Sequence, residues 1–272
     1  MNQPLDSVPL TAPYPDAPRP VVCLARDYPS GHVIPAARHA RAQLIYASRG
    51  VMSVNAPQGA WVVPSQRAVW VPPGVPHWTR AASALSMRTL YIDPTAMDGL
   101  PRECCVVTVS PLLRELIGEA VRLPPLYNEG GPAGRLIAVL LDRLRTLPAA
   151  PLHLPLPTDE RLVRVTGALR ADPADARSLA EWGRTAGASS RTLARLFQRE
   201  TGLSFRAWRQ QVRLLAALER LAAGESVTGV ALELGYETPS AFVAMFRRAL
   251  GVSPGRYFAD AITRPGAGLP PG

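Results

Sequence analysis

Two stretches with the same layout, starting 49 residues apart, limit the second half of this chain to one kind of architecture. SLAEWGRTAGASSRTLARLF begins at Ser178 and VTGVALELGYETPSAFVAMF at Val227. Each reads as an amphipathic helix, a Gly-containing turn and a second amphipathic helix. The expected core of the first is Leu179, Trp182, Leu193, Leu196 and Phe197. That of the second is Val227, Val230, Ala231, Leu234, Phe242, Met245 and Phe246. Small residues near the first helix of each pair let the second cross it closely, which is the packing of a helix-turn-helix.

Between them, SFRAWRQQVRLLAALERL puts Phe205, Trp208, Val212, Leu215 and Leu218 on one stripe, so the spacing predicts a single connecting helix. About 17 helical residues span roughly 26 Å. With the width of the two units added, the second helices are expected about 34 Å apart, one turn of B-DNA. One chain would then enter two successive major grooves on one face. Cap signals agree: Ser178 with Glu181 forms a capping box, Gly202 follows a helix as a C′ residue, and Thr238-Pro239 and Ser253-Pro254 each pair an N-cap with a first-turn proline. Helices are expected throughout 159–261.

The charge is focused on this half. The formal net charge is +9, and all 30 basic residues are Arg. Seven lie between Arg184 and Arg213 against one acid, Glu200, whereas residues 1–158 hold 14 Arg and 10 acids with no comparable cluster. A focused positive field suits a polyanionic partner better than whole-chain charge alone would show. Arg191 and Arg195 sit one turn apart, opposite the Leu193, Leu196 and Phe197 face. On an isolated helix such arginines commonly just solvate a face. Within tandem units they point to bidentate contact with guanine O6 and N7. For Arg206, Arg209 and Arg213, along one side of the connecting helix, phosphate contact, interdomain pairing and solvation all stay open. Trp182 and Trp208 are expected in the core.

The first half is strand-like. QLIYA, GVMSV, AWVVP, RAVWV and RTLYI are short, rich in β-branched and aromatic residues, and separated by Gly and Pro turns, which suggests a small barrel or sandwich. The fold class expected is therefore α+β. Six prolines in residues 1–20 read as a flexible tail, PAAPLHLPLP within 148–158 as a semi-rigid linker, and 262–272 as a second tail. These divide the chain into domains at 21–147 and 159–261. PLLRELIGEAVRL aligns Leu112, Leu113, Leu116, Ile117 and Ala120, and GRLIAVLLDRLRTL aligns Leu136, Val139, Leu140 and Leu144. Each stripe exceeds what one small barrel needs to cover, so a homodimer through these helices is expected.

At 47% hydrophobic the chain can fill two cores. Cys23, Cys104 and Cys105 make neither a disulfide framework nor a spaced metal motif. No signal-like N-terminus and no apolar run near the roughly 18 residues of a membrane span is present. A cytoplasmic, nucleoid-associated protein without membrane partners is expected.

The C-terminal hundred residues resemble the AraC/XylS family of bacterial transcription regulators. The match lies in RTLARLFQRETGLSF, the connecting helix and VALELGYETPSAFVAMFRRALGVSPGRYF. The resemblance implies that the second helix of each unit enters the major groove of double-stranded operator DNA. Ser190, Arg191, Ala194 and Arg195 would face bases in the first unit, and Pro239, Ser240, Ala241, Val243 and Ala244 in the second. Arg247 and Arg248 lie further along and suit phosphate. An activator of this kind would also contact RNA polymerase.

Gly31, Ala37, His39, Gln43 and Gly50, followed by Pro72, Gly74 and His77, stand at spacings that resemble the two cupin motifs. Many AraC-type sensor domains are cupin-like, so the resemblance implies an effector-binding barrel. Metal-binding cupins supply His and carboxylate where this chain has Ala37 and Gln43. His39, His77 and a neutral amide make a poor divalent-cation site. No metal and no cofactor are expected. The pocket would take a small, partly apolar effector, walled by His39, Gln43, Tyr46, Trp61, Trp70, His77 and Trp78. His32 and His153 are expected on the surface. The reading is thus a regulator and not an enzyme. The competing class is a cupin metalloenzyme with an accessory helical domain, which Ala37 and Gln43 oppose; the arginine cluster opposes a purely protein-binding module.

Overall fold

Strand β4 (Ala42–Arg49) is buried on both faces over its first six residues, and the architecture explains why. Its Ile45 and Ala47 face an interior shared by two sheets, while Ala42, Leu44 and Tyr46 lie beneath two helices. A sheet covered on both sides needs apolar residues in succession, so its strands read as apolar runs and not as alternation. A computed structural model describes residues 10–11, 17–65, 67–97, 101–145, 149–150 and 152–262.

The other strands are β1 (Leu10–Thr11), β2 (Val21–Tyr28), β3 (Val33–His39), β5 (Val51–Ala56), β6 (Gly59–Pro64), β7 (Arg67–Val71), β8 (His77–Ala81), β9 (Leu85–Ile92), β10 (Cys105–Thr108), β11 (Ala149–Ala150) and β12 (His153–Pro155). Among the described residues they form two six-stranded sheets, ordered β1-β3-β8-β5-β6-β12 and β11-β10-β7-β4-β9-β2. The β1–β3 pair is parallel and the others are antiparallel. All five strand-like segments of the sequence are strands.

Helices α1 (Pro111–Ala120) and α2 (Pro132–Leu144) cover the outer face of the second sheet. Here the expected stripes are corrected. Leu113, Ile117, Ala120, Ile137, Leu140, Leu141 and Leu144 are buried against the sheet, whereas Leu112 is 49% and Val139 43% exposed. Leu140 and Leu144 therefore belong to the core of the domain. Among the described residues of α1 and α2, the exposed large apolar side chains are Leu112 and Val139, flanked by the half-buried Leu116 and Leu136.

Two expected connectors are tied down more firmly than their prolines imply. Leu10 and Thr11 pair with Arg38 and His39, and Arg41 donates to the carbonyls of Ala17 at 2.8 Å and Arg19 at 2.7 Å. The reading of 1–20 as a flexible tail is thus corrected at 10–11 and 17–20; its remainder, and the tail at 263–272, lie outside the described residues. In the proline-rich stretch, β12 extends the first sheet along β6, with Leu152 and Leu154 buried. Proline is tolerated there because an edge strand has one side free of partners.

The helical half comprises α3 (Glu160–Ala171), α4 (Leu179–Ala186), α5 (Ser190–Thr201), α6 (Phe205–Ala222), α7 (Val227–Glu233), α8 (Pro239–Leu250) and α9 (Pro254–Ile262). The capping box of Ser178 and Glu181 is formed, α5 ends at a left-handed Gly202, and Thr238 caps α8 ahead of Pro239. A Ser or Thr cap of this type stabilises its helix by about 1 kcal/mol. Helix α6 packs on β5, β6 and β12, so the two halves share one apolar cluster. Trp208 donates to the Pro155 carbonyl at 2.8 Å, and Glu200 accepts from the backbone of Thr158 and Asp159 at 3.0 and 2.9 Å. Glu219 of α6 hydrogen-bonds Ser53 of β5, and burial raises its pKa.

Candidate nucleic-acid interface and effector site

The first helix-turn-helix depends on Gly183. A Cβ there would stand 2.4 Å from the Ala188 carbonyl, so only glycine lets the turn fold back on α4. The turn then sets α5 across α4 with Leu193, Leu196 and Phe197 buried. Helical periodicity puts the other face outward. Ser190, Arg191, Ala194 and Arg195 are all exposed along the first half of α5. Both arginines are one turn apart, on one side, near the positive end of the helix dipole.

The second unit is built alike from α7 and α8, with Phe242, Met245 and Phe246 buried. Ser240, Ala241, Ala244, Arg247 and Arg248 are exposed, while Pro239 and Val243 are half-buried and Val243 packs on the core. Val243 is thus less exposed than its place in the sequence implies. Pro239, Ser240, Val243, Ala244, Arg247 and Arg248 line a shallow surface depression. On α6, Arg206 is exposed. Arg209 donates to the Arg177 carbonyl at 3.3 Å and Arg213 to the Pro173 carbonyl at 2.8 Å. Arg209 and Arg213 thus pair within the helical half, with the loop ahead of α4.

In the β-rich half, strand register decides which residues meet. Gly74 adopts φ +76° and donates to the His39 carbonyl at 2.8 Å, which joins the two cupin-like motifs. His77 follows and enters the interior. His39 and His77 lie with ring centroids 5.8 Å apart, and His39 meets the Tyr91 ring edge-on at 5.1 Å. Gln43 pairs with Tyr91 and Val71, so it shares their face, and it is buried. Trp61 pairs with Val54 and His153, and it stacks on the His153 ring at 4.7 Å. Contrary to expectation, His153 is half-buried against Trp61 rather than on the surface, because β12 closes the sheet edge; His32 is exposed.

Three expected pocket residues lie elsewhere. Tyr46 and Trp70 face outward into the cluster under α1 and α2, and Trp78 pairs with Asn55 on the outer face of the first sheet. The sequence missed Thr89 and Tyr91, whose parity with Gln43 along β4 and β9 places them inside. The interior is electrically neutral at His77: burial, opposed by the Val75 carbonyl and aided by His39, pushes its pKa down to about 4. That carbonyl lies 3.1 Å from Nδ1, so the neutral ring donates from Nδ1 and leaves Nε2 as an acceptor. Gln43 Oε1 and Thr89 Oγ1 are buried without a hydrogen-bond partner. Among the described residues no group of three or more His, Cys, Asp and Glu side chains is arranged to hold a metal ion.

Paired helix-turn-helix units on one connecting helix, docked on a β-rich domain whose largely apolar interior holds His39, Gln43, His77 and Thr89, define a DNA-binding regulator that carries its own ligand domain. Residues 182–260 match a helix-turn-helix domain model and residues 19–153 an AraC-like ligand binding domain model. The chain is 38% identical over 229 residues to the HTH-type transcriptional regulator NimR of Escherichia coli (strain K12), covering 84% of each chain. It is 37% identical over 117 residues to the HTH-type transcriptional regulator RipA of Corynebacterium glutamicum, covering 43% of this chain and 35% of that one. The crystal structure of the DNA-binding domain of AdpA in complex with a target DNA matches at 30% identity and TM-score 0.36, over 38% of this chain and 93% of that one. The chain belongs to the AraC/XylS family of transcriptional regulators, with an N-terminal ligand-binding domain and a C-terminal helix-turn-helix DNA-binding domain. No helix among the described residues is long and apolar enough to cross a membrane.

Proposed function

We propose that this regulator reads its operator by setting α5 and α8 into successive major grooves, as a homodimer, under the control of a small molecule held between its two sheets. The observation that carries the reading is the exposure of Arg191 and Arg195 on one face of α5, opposite a fully formed core face. A bidentate Arg–guanine contact discriminates against a wrong base by about 1–3 kcal/mol. Ser190 and Ala194 complete that face; Ser240, Ala241, Val243 and Ala244 form its counterpart on α8, and Arg247 and Arg248 serve phosphate. The effector reading rests on His39, Gln43, His77 and Thr89. Gln43 Oε1 and the neutral His77 Nε2 can accept, and the Thr89 hydroxyl lacks a hydrogen-bond partner, which suits an uncharged molecule with N–H or O–H donors and an apolar body against Trp61. The protein acts in the cytoplasm on nucleoid DNA, and as an activator it would contact RNA polymerase.

Arg195→Ala tests the reading. Its operator affinity is expected to fall by about 1–3 kcal/mol, with preference relaxed at one base pair. Equal losses on operator and random duplex would make Arg195 a phosphate contact and contradict base reading.

A further inference from the structure

The two helix-turn-helix units meet at one side chain that belongs to neither. Arg213 is half-buried midway along α6. Its Nε donates to the Pro173 carbonyl at 2.8 Å and its Nη2 to the Ala174 carbonyl at 3.2 Å. Both carbonyls lie in the loop that leads from α3 into α4 of the first unit. The same guanidinium lies over the Tyr236 ring at 5.4 Å and hydrogen-bonds the Tyr236 hydroxyl. Tyr236 stands in the turn ahead of α8, its amide donates to the Ala231 carbonyl of α7 at 3.0 Å, and its ring meets the fully buried Phe242 of α8 at 5.5 Å. Gly235 closes the junction: a Cβ there would stand 3.0 Å from the Ala174 carbonyl and 3.2 Å from Arg213 Nη2.

A continuous path therefore runs from the α3–α4 loop through Arg213 and Tyr236 to the core face of α8. One turn earlier, Arg209 holds the other end of the same loop at the Arg177 carbonyl. Apolar packing along α6 resists separation of the units but is non-directional. A planar guanidinium donating along fixed directions to two carbonyls and a hydroxyl resists rotation as well. Lysine has a single nitrogen at the end of a flexible stem and cannot reproduce that fork.

We propose that Arg213 is a positioning residue that fixes the second recognition helix relative to the first, so that the protein accepts one spacing between its two half-sites. This rests on the reading that α5 and α8 enter successive grooves. The test uses the full chain and duplexes carrying the wild-type selected site, with one or two base pairs inserted or deleted between the half-sites. Wild type is expected to lose about three- to fivefold for a one-base-pair change, because the Ser240 contact and the shape readout of α8 then fall on the wrong base pairs. Arg213→Ala and Arg213→Lys are expected to bind the native spacing more weakly and to lose far less on the altered spacings, with the salt dependence of binding unchanged. Tyr236→Phe, which keeps the ring and deletes the hydroxyl, is expected to flatten the profile part of the way. It also decides the matter should the Arg213 variants fail to fold, since a profile as steep as wild type would then overturn the proposal. Arg213 variants that fold, keep the wild-type spacing profile and lose affinity equally at every spacing would likewise overturn it. A wild-type profile already flat across spacings would overturn the two-groove reading, and the proposal with it.

Discussion

The imidazoles of His39 and His77 approach each other edge to face inside the β-rich half, 5.8 Å between centroids and 63° between planes. Burial holds the His77 pKa at about 4, below its usual 6.5. The unfolded chain thus takes up a proton that the folded one refuses. The stability from neutral His77 is complete above about pH 6.5 and is lost as pH falls towards 4. A difference of this size is worth up to about 3 kcal/mol. Denaturant unfolding of wild type and His77→Gln at pH 7.5, 5.5 and 4.5 checks this. The wild-type curve should fall more steeply with acid; parallel curves would refute the assignment.

Metal content follows from the same site. Its imidazoles are accompanied by the neutral amide of Gln43 and by Ala37, where a further ligand would be needed. Protein purified without chelator should carry no stoichiometric transition metal. Elemental analysis that finds one per chain, lost on His77→Ala, would contradict the effector reading of this interior.

Self-association is expected through Leu112 and Val139, the exposed apolar residues of α1 and α2. Leu112→Glu with Val139→Glu should give a folded monomer that binds a single site weakly. Leu140→Ala should instead destabilise the domain by about 2–5 kcal/mol, the range for a leucine fully buried in a core. Sedimentation of the double variant tests the interface, and an unchanged dimer mass would remove these helices from it.

The helical half was legible in the sequence because its signals are local. The Ser178 box, the glycine after α5 and the Thr238-Pro239 cap each lie within a few residues of the element they bound, and all formed. The β-rich half was legible as strands but not as faces. Tyr46 and Trp70 lie on β4 and β7, whose two sides are both buried, so hydrophobicity could not tell interior from helix-covered exterior. Only the pairing of Gln43 with Tyr91 fixes that parity. The stripes on α1 and α2 failed similarly. Leu112 and Leu113 are equally apolar, and the sheet beneath α1 decides which is buried. Prolines in 148–158 hid β12, because its partner β6 is distant in the chain.

The two recognition helices differ in what they present to base edges. The α5 face offers two arginines to base edges, whereas the α8 face offers Ser240 as its one side-chain donor ahead of Arg247, among small or apolar neighbours. Apolar side chains touch a thymine methyl but do not separate the four base pairs as a bidentate arginine does. Selection of binding sites from random duplexes by the full chain tests this directly. The account predicts a bipartite motif whose halves lie about one helical turn apart, roughly 10–10.5 base pairs. Strong information should lie in one half and weak, shape-like preference in the other, with the strong half degraded by Arg195→Ala. Recovery of no motif, or of two equally strong halves, would contradict it.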